Sequence, residues 1–254
     1  MIIRKTVLTG LALLLAWSVL LPATLTAASL SAARQKKLEA IMTAAGSPLT
    51  QEINKLYKQV LTLQTTEQNA ADHAQKLKYN NETALHQVRQ LMKKIDEAKI
   101  SKLDTKLTQT KDNYEPLFAL HRTLNQKGKE AQLMKAAVEL ARLDIRRQTN
   151  ELKLAKASRT KTLKQIRETL ATIRPIETKL KTQKSEASAR KKKFTAEWST
   201  FGEAITKGDP KLVKTSLTNL VAHMNELVKI RQKTASLEAD IGAVIKKANS
   251  QIPR

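Results

Sequence analysis

From Ile53 onward, alternating steps of three and four residues land on Ile53, Leu56, Val60, Leu63, Glu67, Ala70, Ala74, Leu77, Asn81, Ala84, Val88, Leu91, Ile95 and Ala98, and twelve of these fourteen are apolar. A seam repeating every seven residues over this length lies along one side of an α-helix and is closed by another helix. Glycine and proline leave room for such helices: between Pro48 and Gly128 there is no glycine and one proline, Pro116. The strong stops are Gly46-Ser47-Pro48, Asn125 to Gly128, and Gly208-Asp209-Pro210. They divide the chain into two spans of equal length, 48–125 and 129–206, followed by 210–249. Each long span would measure about 115 Å as one helix. Equal spans joined by a short glycine turn predict an antiparallel hairpin.

A second seam, Ile100, Leu103, Leu107, Thr110, Tyr114, Leu117, His121 and Leu124, is out of phase with the first. The phase change predicts a hinge near Lys99 to Ser101, with Ser101 and Asp104 as a capping pair. In the third segment every seventh residue from Ala131 through Val138, Ile145, Leu152, Arg159, Ile166, Ile173, Leu180, Ala187 and Phe194 to Phe201 is apolar except Arg159. Pro175 lies within this unbroken register and predicts a kink, at a level facing Lys78 to Asn81 on the other arm, where the weakly helical Tyr79-Asn80-Asn81 is expected to bend as well. The last segment, from Val213 to Ala248, carries a narrow apolar stripe and would pack on the hairpin, with Asp209 as its cap. The fold expected is all-α: an elongated antiparallel helical hairpin or coiled coil with a third long helix packed on it. Its helices would span about 48–98, 102–125, 129–206 (kinked at Pro175) and 210–249, within a single domain over 48–250. A short helix or linker would precede it over 29–46.

Composition agrees with this reading. Aromatic residues make up 3% of the 254 residues, cysteine is absent, and six glycines are few for an α/β enzyme. The absence of cysteine excludes disulfides, thiolate metal sites and a thiol nucleophile. The start of the chain reads as an address. Arg4 and Lys5 precede the uncharged run Val7 to Leu21, then Pro22 and the small residues Ala23 to Ala28. This is the order of a secretory signal peptide over 1–28, with cleavage after Ala27 or Ala28 favoured over an uncleaved anchor. The apolar run is shorter than the roughly 20 residues of a spanning helix. The remainder is then secreted or belongs to the cell envelope of a bacterium.

The formal net charge is +23, and half of the excess is concentrated. Between Lys153 and Lys193 there are fourteen basic residues against Glu168, Glu177 and Glu186. Self-repulsion opposes compaction, so the stretch either forms a solvated helix face or meets an anionic partner. The residues assigned to such contact are Lys153, Lys156, Lys161, Lys164, Arg167, Arg174, Lys181, Lys184, Arg190, Lys191, Lys192 and Lys193. Outside the cytoplasm, that partner would be an anionic cell-wall polymer or a membrane surface. Sequence-specific nucleic acid fits poorly, since no aromatics interleave with the charges for base stacking. Lys184 and Lys191 fall on inward companion positions, where their stems would snorkel along the apolar face. Phe194, Trp198 and Phe201 read as core at the bundle end, or as a partner patch beside Arg190 to Lys193.

No catalytic constellation stands out. His73, His86, His121 and His223 share no ligand spacing, and there is no nucleophile elbow, phosphate loop or dinucleotide fingerprint. Glu67 and Asn81 on the seam read as register-setting polar residues. The expectation is a non-enzymatic protein without a cofactor that binds an anionic surface through its basic helix. The alternative is a protein-binding or self-associating module, such as an extracytoplasmic chaperone or an adaptor for a cell-wall enzyme. In charge and helicity the chain is similar both to periplasmic holdase chaperones with helical arms and to the coiled-coil regions of wall-hydrolase activators, a likeness of composition that assigns no residues.

Overall fold

The structure, a computed structural model, describes residues 30–126 and 131–253. The signal peptide expected over 1–28 and the Lys127-Gly128 turn lie outside the described residues. Six helices follow one another: α1 (Ala32–Ala44), α2 (Ser47–Lys94), α3 (Glu97–Asn125), α4 (Ala131–Ala171), α5 (Ile173–Lys207) and α6 (Pro210–Ser250). No strand occurs among the described residues, and the fold is all-α.

The ends follow local chemistry. The Ser31 hydroxyl accepts from the Arg34 amide and starts α1. Gly46 and Gly208 take the left-handed φ values of 78° and 73° that let the chain reverse. One Asp209 carboxylate oxygen accepts from the amides of Lys211 and Leu212 and caps α6, with Pro210 in the first helical position as its missing N–H allows.

Two breaks differ from expectation. The hinge placed at Lys99 to Ser101 falls earlier, at Ile95-Asp96, and Ser101 is inside α3. The reason is the backbone of Asp96, which adopts a left-handed φ of 52°. Asp tolerates that region far better than the residues at 99–101. Ile95, nearly fully buried, anchors the turn. The single kinked helix expected over 129–206 is two helices, α4 and α5, separated at Thr172. Pro175 has no N–H for the Ala171 carbonyl four residues back, and the chain tightens there. The Thr172 amide and hydroxyl both bond to the Thr169 carbonyl, at 3.2 and 2.7 Å. The seven-residue phase survives this one-residue turn, and Ile166, Ile173 and Leu180 are all buried. Across Tyr79-Asn80-Asn81, α2 runs on as uninterrupted helix.

The described residues form two compact units, one of 30–78 and 175–239 and the other of 79–126, 131–174 and 240–253. The first unit holds a core from α1, α2, α5 and α6: Leu38, Ile53, Val60, Phe194, Phe201, Leu217, Leu220, Met224 and Leu227 are essentially inaccessible. Here α6 runs in the same direction as α2. Lys214 meets Glu52 at 2.6 Å, and Arg231, farther along, meets Glu67 at 2.6 Å. The stripe on α6 is wider than expected, because Ser216 and Leu217, Leu227 and Val228, and Thr234 and Ala235 are buried as adjacent pairs. A helix with neighbours on two sides buries two adjacent stripes.

In the second unit α3 and α4 are antiparallel. Thr110 and Gln148 exchange side-chain hydrogen bonds of 3.0 and 2.9 Å, and Lys156 approaches Asp104 at 3.8 Å. Leu107, Val138, Ala141, Leu152 and Ala155 form its seam. Gln251 near the end of α6 bonds Thr169 of α4. Leu91 and Ala98, expected on the inner seam, are exposed beside the Ile95-Asp96 turn.

Candidate functional site

The site is built on α4. Its buried stripe of Val138, Ala141, Gln148, Leu152, Ala155 and Ile166 leaves the opposite side to solvent. Off that stripe Lys135, Arg142, Arg146, Lys153 and Lys164 share a sector about 40° wide, with Lys156 and Arg167 nearer the edge of the buried stripe and Lys161 farther round, all exposed. They form a line for a geometric reason. Eleven residues of α-helix turn through three full circles plus about 20°, so residues eleven apart share a face. Arg142, Lys153 and Lys164 recur at that interval, as do Lys135 with Arg146 and Lys156 with Arg167. Successive members of a row stand about 16 Å apart, and the line from Lys135 to Arg167 is about 48 Å long.

Carboxylates neutralise part of this line. Glu139 pairs with Arg142 at 2.8 Å, Glu168 stands 3.9 Å from Lys164, and Asp104 stands 3.8 Å from Lys156. These pairs are solvent-exposed and each contributes between zero and about 1 kcal/mol, so they hold the cations loosely. Arg146, Lys153, Lys161 and Arg167 have no carboxylate partner among the described residues. Arg159, the one charged residue on the inner seven-residue row, has a different role. It is half-buried, and its Nη2 donates to the Lys93 carbonyl at 3.0 Å, closing the C-terminal turn of α2.

The twelve residues proposed from sequence divide between the units. Lys153, Lys156, Lys161, Lys164, Arg167 and Arg174 belong to the second, and Lys181, Lys184, Arg190, Lys191, Lys192 and Lys193 to the first. In the first unit Lys181, Lys192 and Lys193 are exposed, while Lys184, Arg190 and Lys191 are half-buried. Phe194 and Phe201 are sealed in the core. Trp198 lies between them, with ring centroids 5.9 and 5.5 Å away, and is partly buried. Phe194 and Phe201 thus present no surface to a partner.

Lys135, Arg142 and Arg146 were not in the sequence-based set. A linear count of charge passes over them, since Glu139, Asp144 and Glu151 are interspersed. The eleven-residue recurrence is the signal that finds them. Two shallow depressions lie in the same unit, neither lined by a cation of that line. One, of about 390 Å³, is lined by Lys99, Leu103, Glu151, Leu154, Ala155 and Ser158. The other, of about 210 Å³, is lined by Leu143, Asp144 and Arg147. No group of three or more metal-ligating side chains occurs among the described residues. No helix among them is long and apolar enough to cross a membrane. No family model, curated protein or solved structure matches this chain.

Proposed function

We propose that the protein is an exported, non-enzymatic helical protein of the cell envelope or secreted fraction that binds an anionic surface through α4. The observation that supports this most is the exposed row of Lys135, Arg142, Arg146, Lys153 and Lys164 on one face of α4. A line of like charges repels itself and is relieved by a partner of opposite sign. A fixed helix presents these charges without further ordering, so each contact is made at low entropic cost. The leader-like order of residues 1–28 supports placement outside the cytoplasm.

The test is sedimentation at low salt with isolated cell walls and with anionic vesicles, using a variant with Lys153, Lys156, Lys161 and Lys164 all changed to Gln. Near an anionic membrane each Lys contributes about 1 kcal/mol, so the variant loses binding by roughly a hundredfold or more. These side chains are exposed, and the variant keeps its helicity and melting temperature. Wild-type protein that stays in the supernatant with every anionic surface dismisses the reading.

A further inference from the structure

The cations of α4 do not stand alone on its solvent side. Leu140, Leu143 and Leu154 are 67%, 57% and 71% exposed, although they lie on a helix that buries a complete apolar stripe elsewhere. At about 100° per residue the three fall within a sector about 60° wide. That sector lies roughly a quarter turn from the row of Arg142, Lys153 and Lys164, and Arg147 and Lys161 fall inside it. Leu143 and Leu154 are eleven residues apart, the same interval as the cations. The helix therefore has three sectors: one buried in the second unit, one cationic, and one of leucines that contains Arg147 and Lys161, with Glu139 and Glu168 between it and the cationic row and Glu151 and Asp144 on its other side.

We infer that the anionic surface is a lipid bilayer, and that α4 lies in its interface with Leu140, Leu143 and Leu154 entering the acyl boundary while the flanking Lys and Arg meet headgroup phosphates. This rests on the anionic-surface reading above and names its chemistry. A wall polymer satisfies the charges but offers hydrocarbon to none of the leucines. A bilayer interface offers both, phosphate at the headgroup level and hydrocarbon about 5–10 Å beneath it. Long Lys and Arg stems beside the leucines reach back to the phosphates. Leu154 lines a depression together with Leu103, Ala155 and Lys99. Glu151 lines the same depression and Asp144 the other. Asp144 is already paired with Arg147 at 2.9 Å. The attachment is peripheral, in the plane of the interface.

The experiment is flotation of the full chain with vesicles of phosphatidylcholine alone and of equimolar phosphatidylcholine and phosphatidylglycerol, with polyphosphate-coated beads as a lipid-free anion. Each is run at low salt and at about 1 M NaCl, where the Debye length is about 3 Å. The wild type binds both anions at low salt and retains part of its binding to the mixed vesicles at high salt. Changing Leu143 and Leu154 together to Ser lowers the salt-resistant binding by on the order of tenfold or more and leaves binding to the beads unchanged. A second variant, Leu154→Trp, reports position directly: its added emission shifts to the blue and is quenched by brominated lipid. If the serine variant matches the wild type on vesicles at both salts, or the new tryptophan stays unquenched on vesicle-bound protein, the lipid assignment is overturned and the charge reading stands. Binding to beads but not to vesicles has the same meaning. If the serine change abolishes capture of an unfolded client protein but leaves vesicle binding intact, the leucines belong to a protein partner. Failure of the wild type on every anion at low salt removes both readings.

Discussion

Glu67 is fully buried on α2, and its Oε1 accepts from the Nε of Arg231 on α6 at 2.6 Å. Its Oε2 has no hydrogen-bond partner, nor has Nε2 of Gln64 one turn earlier. The seven-residue pattern marks Glu67 as a polar interruption with a register-setting role. It does not reveal the partner, because Arg231 is far away in sequence and lies outside the apolar stripe read on α6. A buried ion pair adds little stability over an apolar pair, but leaving one charge unpartnered is costly. Arg231→Met lowers the unfolding free energy by about 3–5 kcal/mol, read in urea. The double change Glu67→Leu with Arg231→Met returns it to near the wild-type value. Tyr57, whose ring centroid is 6.3 Å from that of Phe201, shows the effect of partial burial on a neutral group. Burial raises its phenol above the ordinary value, so the fold prefers the protonated form. Below pH about 10 both folded and unfolded chains hold that proton and stability is unaffected. Above it the unfolded chain loses the proton first, and stability falls as pH rises through the folded value. The difference in melting temperature between wild type and Tyr57→Phe therefore changes in favour of the Phe variant in that alkaline window.

Within the helices, two glycines separate what a position tolerates from what its residue type suggests. Both Gly202 of α5 and Gly242 of α6 lie in helix interiors, where alanine is favoured by about 0.8–1 kcal/mol. A Cβ on Gly202 would meet the Arg34 guanidinium at 3.0 Å, and that end of a flexible side chain can swing aside. A Cβ on Gly242 would meet Oδ1 of the buried Asn81 at 2.9 Å. Gly202→Ala therefore leaves stability unchanged or raises it by up to about 1 kcal/mol, and Gly242→Ala lowers it by about 1–3 kcal/mol, by thermal or chemical denaturation. Asn81, the other polar interruption of the α2 seam, is thus the residue that α6 accommodates with a glycine. The helix breaks show the same limit on sequence reading. Stops that depend on Gly46, Gly208, Asp209 and Pro210 lie where local chemistry places them. The Ile95-Asp96 turn lies upstream of the seam's phase change because that change says only that a break exists, while the residue that can enter the left-handed region decides where it falls.

For the molecule as a whole the dominant quantity is a net charge of +23 on 254 residues. Among the described residues most salt bridges are exposed and weak, so added salt screens more repulsion than attraction. The melting temperature therefore rises with NaCl concentration. A protein held together mainly by surface ion pairs would show the opposite slope. The periodicity of Ile53 to Ala98 and of Val138 to Phe201 determined the helical class on its own, because a seven-residue repeat can be buried only by helices. The charge of the Lys153 to Lys193 segment was equally plain from the residues. Tertiary structure alone decided that Arg231 partners Glu67, that Arg159 closes the end of α2, and that Phe194 and Phe201 are sealed. It also decided that Leu140, Leu143 and Leu154 are left in solvent beside a line of cations beginning at Lys135. A leucine on a helix reads the same in sequence whether or not a neighbouring helix covers it, and coverage is a property of what packs around it.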